Sequence, residues 1–132
     1  MKFYVASSFR NMQTVRDVSE KLINRGFQLT YDWTRNEGVS TIEQLGEIGR
    51  QEIQAVTEAD FVVVILPAGK GSHVELGIAL GRGKKVYLYS PNEEVNDVET
   101  TSTFYHVPEV RKCFGTIDEL VETVVEAGSF NG

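Results

Sequence analysis

The sequence predicts a three-layer α/β sandwich built on a parallel sheet of four to five strands. Three observations lead there. Short apolar runs such as Phe3-Tyr4-Val5-Ala6 and Phe61-Val62-Val63-Val64-Ile65-Leu66 read as strands covered on both faces. Longer stretches with apolar residues at three- and four-residue steps separate these runs, so strand and helix alternate. The length, 132 residues, suits one domain spanning 1–132.

Phe3 to Ala6 forms the first strand. Asn11 to Arg25 is helical, with Met12, Val15, Val18 or Ser19, and Leu22 on one side, and Gly26 ends it. Phe27 to Trp33 reads as a second strand. Ser40 to Glu58 is helical, its apolar side carrying Ile42, Leu45, Ile48, Ile53 and Val56. Phe61 to Leu66 is the strongest strand and the natural centre of the sheet. Ser72 to Arg82 is a short helix whose small residues, Gly77, Ala79 and Gly81, would allow close packing on the sheet. Lys85 to Tyr89 is a fourth strand, Val110 to Phe114 a weakly signalled fifth, and Thr116 to Ala127 a terminal amphipathic helix. Right-handed crossovers between parallel strands would place helices on both faces.

Composition narrows the function classes. With 41% hydrophobic and 24% charged residues the chain is an ordinary globular protein rather than a disordered tail. Thirteen Lys and Arg against nineteen Asp and Glu give a net charge of −6 and a pI near 4.9. That argues against gripping duplex nucleic acid or an anionic membrane by bulk charge. The single cysteine, Cys113, leaves no intramolecular disulfide or Cys-rich zinc cage, and two histidines make a His-rich metal site unexpected. Neither a metal nor a cofactor is expected. Phe3–Ala6 is too short for a signal peptide or membrane span, so a cytoplasmic location is the default expectation.

In parallel sheets ligands bind outside the carboxyl ends of the strands, which singles out Ser7–Asn11, Asp32–Gly38, Pro67–His73 and Ser90–His106. Two nucleotide signatures fail there. The first strand leads into Ser7-Ser8-Phe9-Arg10 rather than G-x-G-x-x-G, and Gly69-Lys70-Gly71-Ser72 lacks the Ser or Thr that must follow a P-loop lysine. The first-strand loop also lacks the Thr- and Gly-rich grip of a flavin site, and no acidic cluster marks a receiver domain. Ser7, Ser8, Phe9 and Arg10 would instead bring hydroxyls, amides and a guanidinium to a helix start, as suits a phosphate or carboxylate. Equally, Ser8 or Asn11 would only cap that helix. Trp33 offers a stacking face for a base and Asp32 an acceptor for a sugar or amine, or else one covers the core edge while the other caps a turn.

Gly71-Ser72-His73-Val74-Glu75-Leu76-Gly77 carries the strongest signal. Its glycines let a ligand approach the backbone after the central strand. Glu75 in the first turn of the next helix would be held ionised by the helix N-terminus and project into the cleft. Such a carboxylate can attack or stabilise a sugar anomeric carbon. The same Ser72-x-x-Glu75 spacing is a capping box, as are Ser40-x-x-Glu43 and Thr116-x-x-Glu119. Glu52 falls in step with Leu45, Ile48 and Ala55 on the second helix. It points inward to hold a proton for a leaving group, or sits at the edge of an amphipathic helix. His73 is a lesser candidate for the same proton. His106 belongs to a long connection that is a lid or a disordered loop, and Cys113 reads as core.

Ala59-Asp60-Phe61-Val62-Val63-Val64, the Gly71–Gly77 segment, Tyr4-Val5-Ala6-Ser7-Ser8-Phe9 and Phe104-Tyr105-His106 together resemble the nucleoside 2-deoxyribosyltransferase-like family, which includes deoxynucleoside 5′-monophosphate N-glycosidases. The resemblance spans nearly the whole chain. It implies a flavodoxin-like, Rossmann-like sheet, a homodimer or higher homo-oligomer, and chemistry on the N-glycosidic bond of a small-molecule nucleoside or nucleotide. It makes Glu75 the nucleophile and Ser7-Ser8-Phe9-Arg10 part of the sugar or phosphate pocket, and Glu52 stands where relatives carry an assisting aspartate. Gly69 stands where transferases carry a base-binding aspartate, which weakens a free-nucleoside transferase more than a monophosphate hydrolase. The arrangement also looks like TIR-type NAD-cleaving domains. The alternatives to transfer or hydrolysis at a nucleoside are therefore a TIR-like NAD glycohydrolase and a non-catalytic nucleotide or ADP-ribose-type sensor.

Overall fold

A computed structural model describes residues 1–129, so the last three residues of the expected domain lie outside the described residues. Strands β1 (Lys2–Ala6), β2 (Gln28–Leu29), β3 (Phe61–Ile65), β4 (Lys85–Tyr89) and β5 (Val110–Cys113) form one parallel sheet in the order β2-β1-β3-β4-β5. Helices α1 (Met12–Asn24), α2 (Ile42–Glu58), α3 (Lys70–Gly81) and α4 (Ile117–Ser129) connect and flank it, α1 packing with α4 and α2 with α3. The expected α/β sandwich is therefore present. Among the described residues no helix is long and apolar enough to cross a membrane.

β3 is central for the reason its sequence suggests. All five of its residues are buried, and its β-branched valines pair with β1 on one side and β4 on the other. Burying each valine contributes roughly 1.5–3 kcal/mol. Phe61 packs against the rings of Phe3, Phe27 and Tyr87 at centroid distances between 5.5 and 5.9 Å. Asp60, at the opposite edge from the candidate site, accepts the backbone N–H of Lys2 at 2.7 Å and so fixes the start of β1 beside β3. The chain reverses its direction of travel across the sheet between β1 and β3, which opens a crevice at their carboxyl ends.

Several boundaries differ from the sequence expectation. The second strand keeps only Gln28 and Leu29, because Asp32 accepts the backbone N–H of Thr34 and starts a 3-10 turn over Trp33–Arg35. The cap of α2 is Thr41 with Gln44 rather than Ser40 with Glu43, while the Thr116–Glu119 box forms as expected. Of Gly77, Ala79 and Gly81 on α3 only Ala79 is buried; Gly77 and Gly81 face open space. The connection from Ser90 to His106 folds into turns at Glu93–Asn96 and Thr103–His106, anchored by buried Val95 and Tyr105.

Candidate active site

The ends of β1 and β3 are stitched together. Ser7 Oγ donates to the Ile65 carbonyl at 2.8 Å, and Asn11 Nδ2 donates to Ser7 Oγ at 3.0 Å and to the Pro67 carbonyl at 2.9 Å. Asn11 thus bridges two loops instead of capping α1. Trp33 is buried, with its indole N–H given to the Val5 carbonyl at 2.7 Å, so it supports the end of β1 and offers no free stacking face. The exposed ring is Phe9, set edge-on to Trp33 at 5.4 Å. Asp32 is occupied as a cap and pairs with Arg35 at 3.3 Å, whereas Arg10 is exposed and in no ion pair among the described residues.

Facing this loop is the start of α3. The helix begins at Lys70, earlier than the expected Ser72, with Gly69 as its N-cap. Ser72 Oγ accepts the Gly69 N–H at 2.6 Å and donates back to the Gly69 carbonyl at 3.0 Å, so Ser72 closes the turn and forms no box with Glu75. The first amides of α3, at Lys70 and Gly71, have no earlier helical carbonyl to meet. Ser8 lies against Gly69, where an added Cβ would stand 3.5 Å from Ser8 Cβ. Its buried Oγ has no hydrogen-bond partner among the described residues. His73 Nδ1 lies 2.8 Å from the Gly69 carbonyl, which can only accept, so Nδ1 carries the proton and Nε2 accepts from the Tyr105 hydroxyl at 2.5 Å. Both ring nitrogens are engaged, and His73 clamps the Thr103–His106 turn to α3.

The earlier helix start moves Glu75 to the second turn of α3. There its side chain reaches inward to β1 instead of outward to the helix end. It is only 5% exposed and accepts a hydrogen bond from the Tyr4 hydroxyl at 2.5 Å. The same hydroxyl lies 3.4 Å from Glu52 Oε2, so the half-buried Glu52 does point inward. Burial pushes the Glu75 carboxyl up to about 9, nearby Glu52 adds to the rise, and the Tyr4 hydrogen bond opposes it. The expected ionised state is overturned because the helix-end field fades within the first turn while desolvation acts on the whole group. Burial, followed by the charges of Glu75 and Glu52, holds Tyr4 as a neutral hydroxyl. Before any ligand arrives, Glu75 therefore holds a proton at neutral pH.

A cleft of about 300 Å³ opens at the ends of β3 and β4, lined by Pro67, Ala68, Ser90, Thr101 and Tyr105 among others. None of Tyr4, Glu52 and Glu75 lines it; it adjoins α3 through Tyr105, whose hydroxyl meets His73. Among the described residues no group of three or more His, Cys, Asp and Glu is placed to hold a metal ion. Tyr4 was hidden inside an apolar strand run, yet a buried tyrosine needs a partner for its hydroxyl, and that requirement was the available signal.

Residues 3–120 match the family model described as nucleoside 2-deoxyribosyltransferase. Two solved structures share the fold. One is a CMP N-glycosidase, BcmB, from Clostridium botulinum, at 16% identity and TM-score 0.63, covering 96% of this chain and 99% of that one. The other is a 2-deoxyribosyltransferase from Bacillus psychrosaccharolyticus, at 21% identity and TM-score 0.62, covering 78% and 93%. No curated protein matches the chain. With the family model covering almost the entire sheet and both carboxylates, the chain belongs to the nucleoside 2-deoxyribosyltransferase family.

Proposed function

We propose that the protein cleaves or transfers at the N-glycosidic bond of a (deoxy)nucleoside or its 5′-monophosphate, with Glu75 as nucleophile. The observation that carries this reading is the single Tyr4 hydroxyl between two inward carboxylates at the sheet's switch point. Sharing that hydroxyl keeps the two carboxylate oxygens within about 6 Å, short of the roughly 6.5–9.5 Å that leaves room for water in single displacement. That spacing supports a covalent intermediate.

In this mechanism the proton on Glu75 passes through the Tyr4 hydroxyl to Glu52 as substrate enters. The transfer creates the nucleophile and the acid together. The bond from C1′ to the base nitrogen breaks with its electron pair leaving on the base, Glu52 protonates that base, and a Glu75 oxygen bonds to C1′. Water or a second base then attacks C1′, releases Glu75 as carboxylate and returns its proton to Glu52. Ser7, Ser8, Phe9 and Arg10 hold the sugar and a 5′-phosphate, and the unpartnered Ser8 Oγ, on a residue lying against Gly69 at the start of α3, supports an oxyanion there. Gly71 gives the ligand access to backbone, and His73 positions the adjoining turn. Trp33 acts by supporting Phe9, and Asp32 by shaping the loop. The working form is a cytoplasmic homodimer.

Glu75→Ala tests the reading: release of free base from deoxynucleosides and their monophosphates falls to background while the fold persists. Retained release refutes the nucleophile. Thermal stabilisation of the wild-type protein by a nucleotide without liberated base would favour the sensor. Release of nicotinamide from NAD, with deoxynucleotides inert, would favour the NAD glycohydrolase.

A further inference from the structure

The starts of the strands lie at the edge of the sheet away from Glu75, and there a hollow of about 580 Å³ opens between β4 and β5. Gly83, Lys85 and Tyr87 line one side of it, and Glu109, Val110 and Arg111 the other. Residues two apart on a strand share a face, so Lys85 and Tyr87 stand on the same side of β4, about 6.6 Å apart. Arg111 is the register partner of Tyr87 on β5 and shares that face, about 4.8 Å across. An ammonium, a phenol and a guanidinium are thus neighbours around one opening.

The fold uses none of these three donors. Tyr87 is 2% exposed, yet its hydroxyl makes no hydrogen bond among the described residues, and that hydroxyl is not sealed inside the core. Burial raises its ionisation and the charge of Arg111 opposes the rise, which sets the guanidinium close by. Lys85 and Arg111 take part in no ion pair or side-chain hydrogen bond among the described residues. Their neighbour Lys84 shows the contrast, since its Nζ is given to the Thr57 carbonyl at 2.8 Å. A tyrosine this deeply buried normally finds a partner for its hydroxyl, so the missing partner is an oxygen that comes from outside.

Charge and shape select the occupant. Among the described residues that line the hollow Glu109 is the only acid, against Lys84, Lys85 and Arg111, so the opening favours an anion in a chain whose net charge is −6. A carboxylate offers two oxygens in one plane, whereas a phosphate offers oxygens to the two-pronged guanidinium, the ammonium and the phenol at once. The volume falls within the range of small-molecule sites and exceeds what a bare ion fills. We propose that this hollow binds the phosphoryl group of a phosphate monoester, at the opposite edge of the sheet from the carboxylate pair. Arg111 takes two oxygens, Lys85 and the Tyr87 hydroxyl take the others, and the organic body lies against Pro108 and Val110. Nothing in this assignment depends on the reaction at Glu75.

Amide NMR of the full chain, titrated with phenyl phosphate and separately with inorganic phosphate, is the test. Phenyl phosphate should shift the Gly83, Lys85 and Arg111 amides saturably by about 20 mM, which fills any site of millimolar affinity. Inorganic phosphate should shift the same amides more weakly. Arg111→Gln should lower the affinity at least about tenfold, and Tyr87→Phe should lower it with the rest of the spectrum unchanged. Glu109→Gln should raise it, because a like charge is removed. Shifts at Ser8 or Gly71 report the other edge and should survive Arg111→Gln. No saturable shift at Gly83, Lys85 and Arg111 overturns the proposal, as does one that Arg111→Gln leaves intact. Equal affinity for the two probes overturns the monoester in favour of free phosphate, and an affinity indifferent to Glu109→Gln overturns the argument from charge.

Discussion

Replacing Glu75 with glutamine keeps the shape of the side chain and removes its titration. In the folded protein the Glu75 carboxyl is raised from 4.5 to about 9, so between those values the folded state holds a proton that the unfolded chain has released. Stability must therefore fall as pH rises through this window, and it is unaffected by this group below 4.5. At roughly 1.4 kcal/mol per pH unit, the loss from pH 4.5 to 7 amounts to about 3 kcal/mol. Glu75→Gln removes that loss. Urea unfolding of both proteins from pH 4.5 to 9 isolates the Glu75 cluster, because titrating groups away from it cancel in the difference. The difference should grow steadily in favour of the variant as pH rises. A difference that stays flat with pH would show that Glu75 is not held protonated, and the reasoning from its burial would be wrong.

Tyr4→Phe removes the hydrogen bond that lowers Glu75, so the ionisation of Glu75 should move upward. The falling limb of the rate-against-pH profile, where the shared proton is lost, should follow it, and with the relay broken base release at pH 7 should drop by about 100-fold. An unshifted limb would remove Tyr4 from the proton path. Trp33→Phe strands the buried Val5 carbonyl and should cost about 1–3 kcal/mol of stability in denaturant unfolding. Ser8→Ala loses no internal hydrogen bond, so stability should hold or rise while KM for a 5′-monophosphate increases. An unchanged KM would place the phosphate elsewhere.

The sheet was legible because its strands differ so plainly from its helices. A run such as Phe61–Leu66 has one sensible fate, and the alternation around it fixes parallel topology. The second strand was overcounted because Tyr31 and Trp33 look like strand residues, whereas the Asp32 cap and the indole bond to Val5 turn the chain inward. At the site, spacing alone left Glu75 open between cap and cleft. Gly69 and Ser72 decided it by closing the turn on each other, which shifted the helix start and aimed Glu75 at Tyr4. Tyr4 itself was unreadable as a partner, since no local pattern reveals a contact across 71 positions of chain.

The claim that matters most is that Glu75 becomes bonded to the sugar. Acid-quenching the enzyme during turnover of a deoxynucleoside 5′-monophosphate, followed by peptide mass spectrometry, reads that bond directly. A deoxyribose-phosphate mass is expected on the peptide containing Glu75, present in the wild-type protein and missing in Glu75→Gln. Continued base release with that peptide unmodified, or with the sugar on another residue, would contradict it.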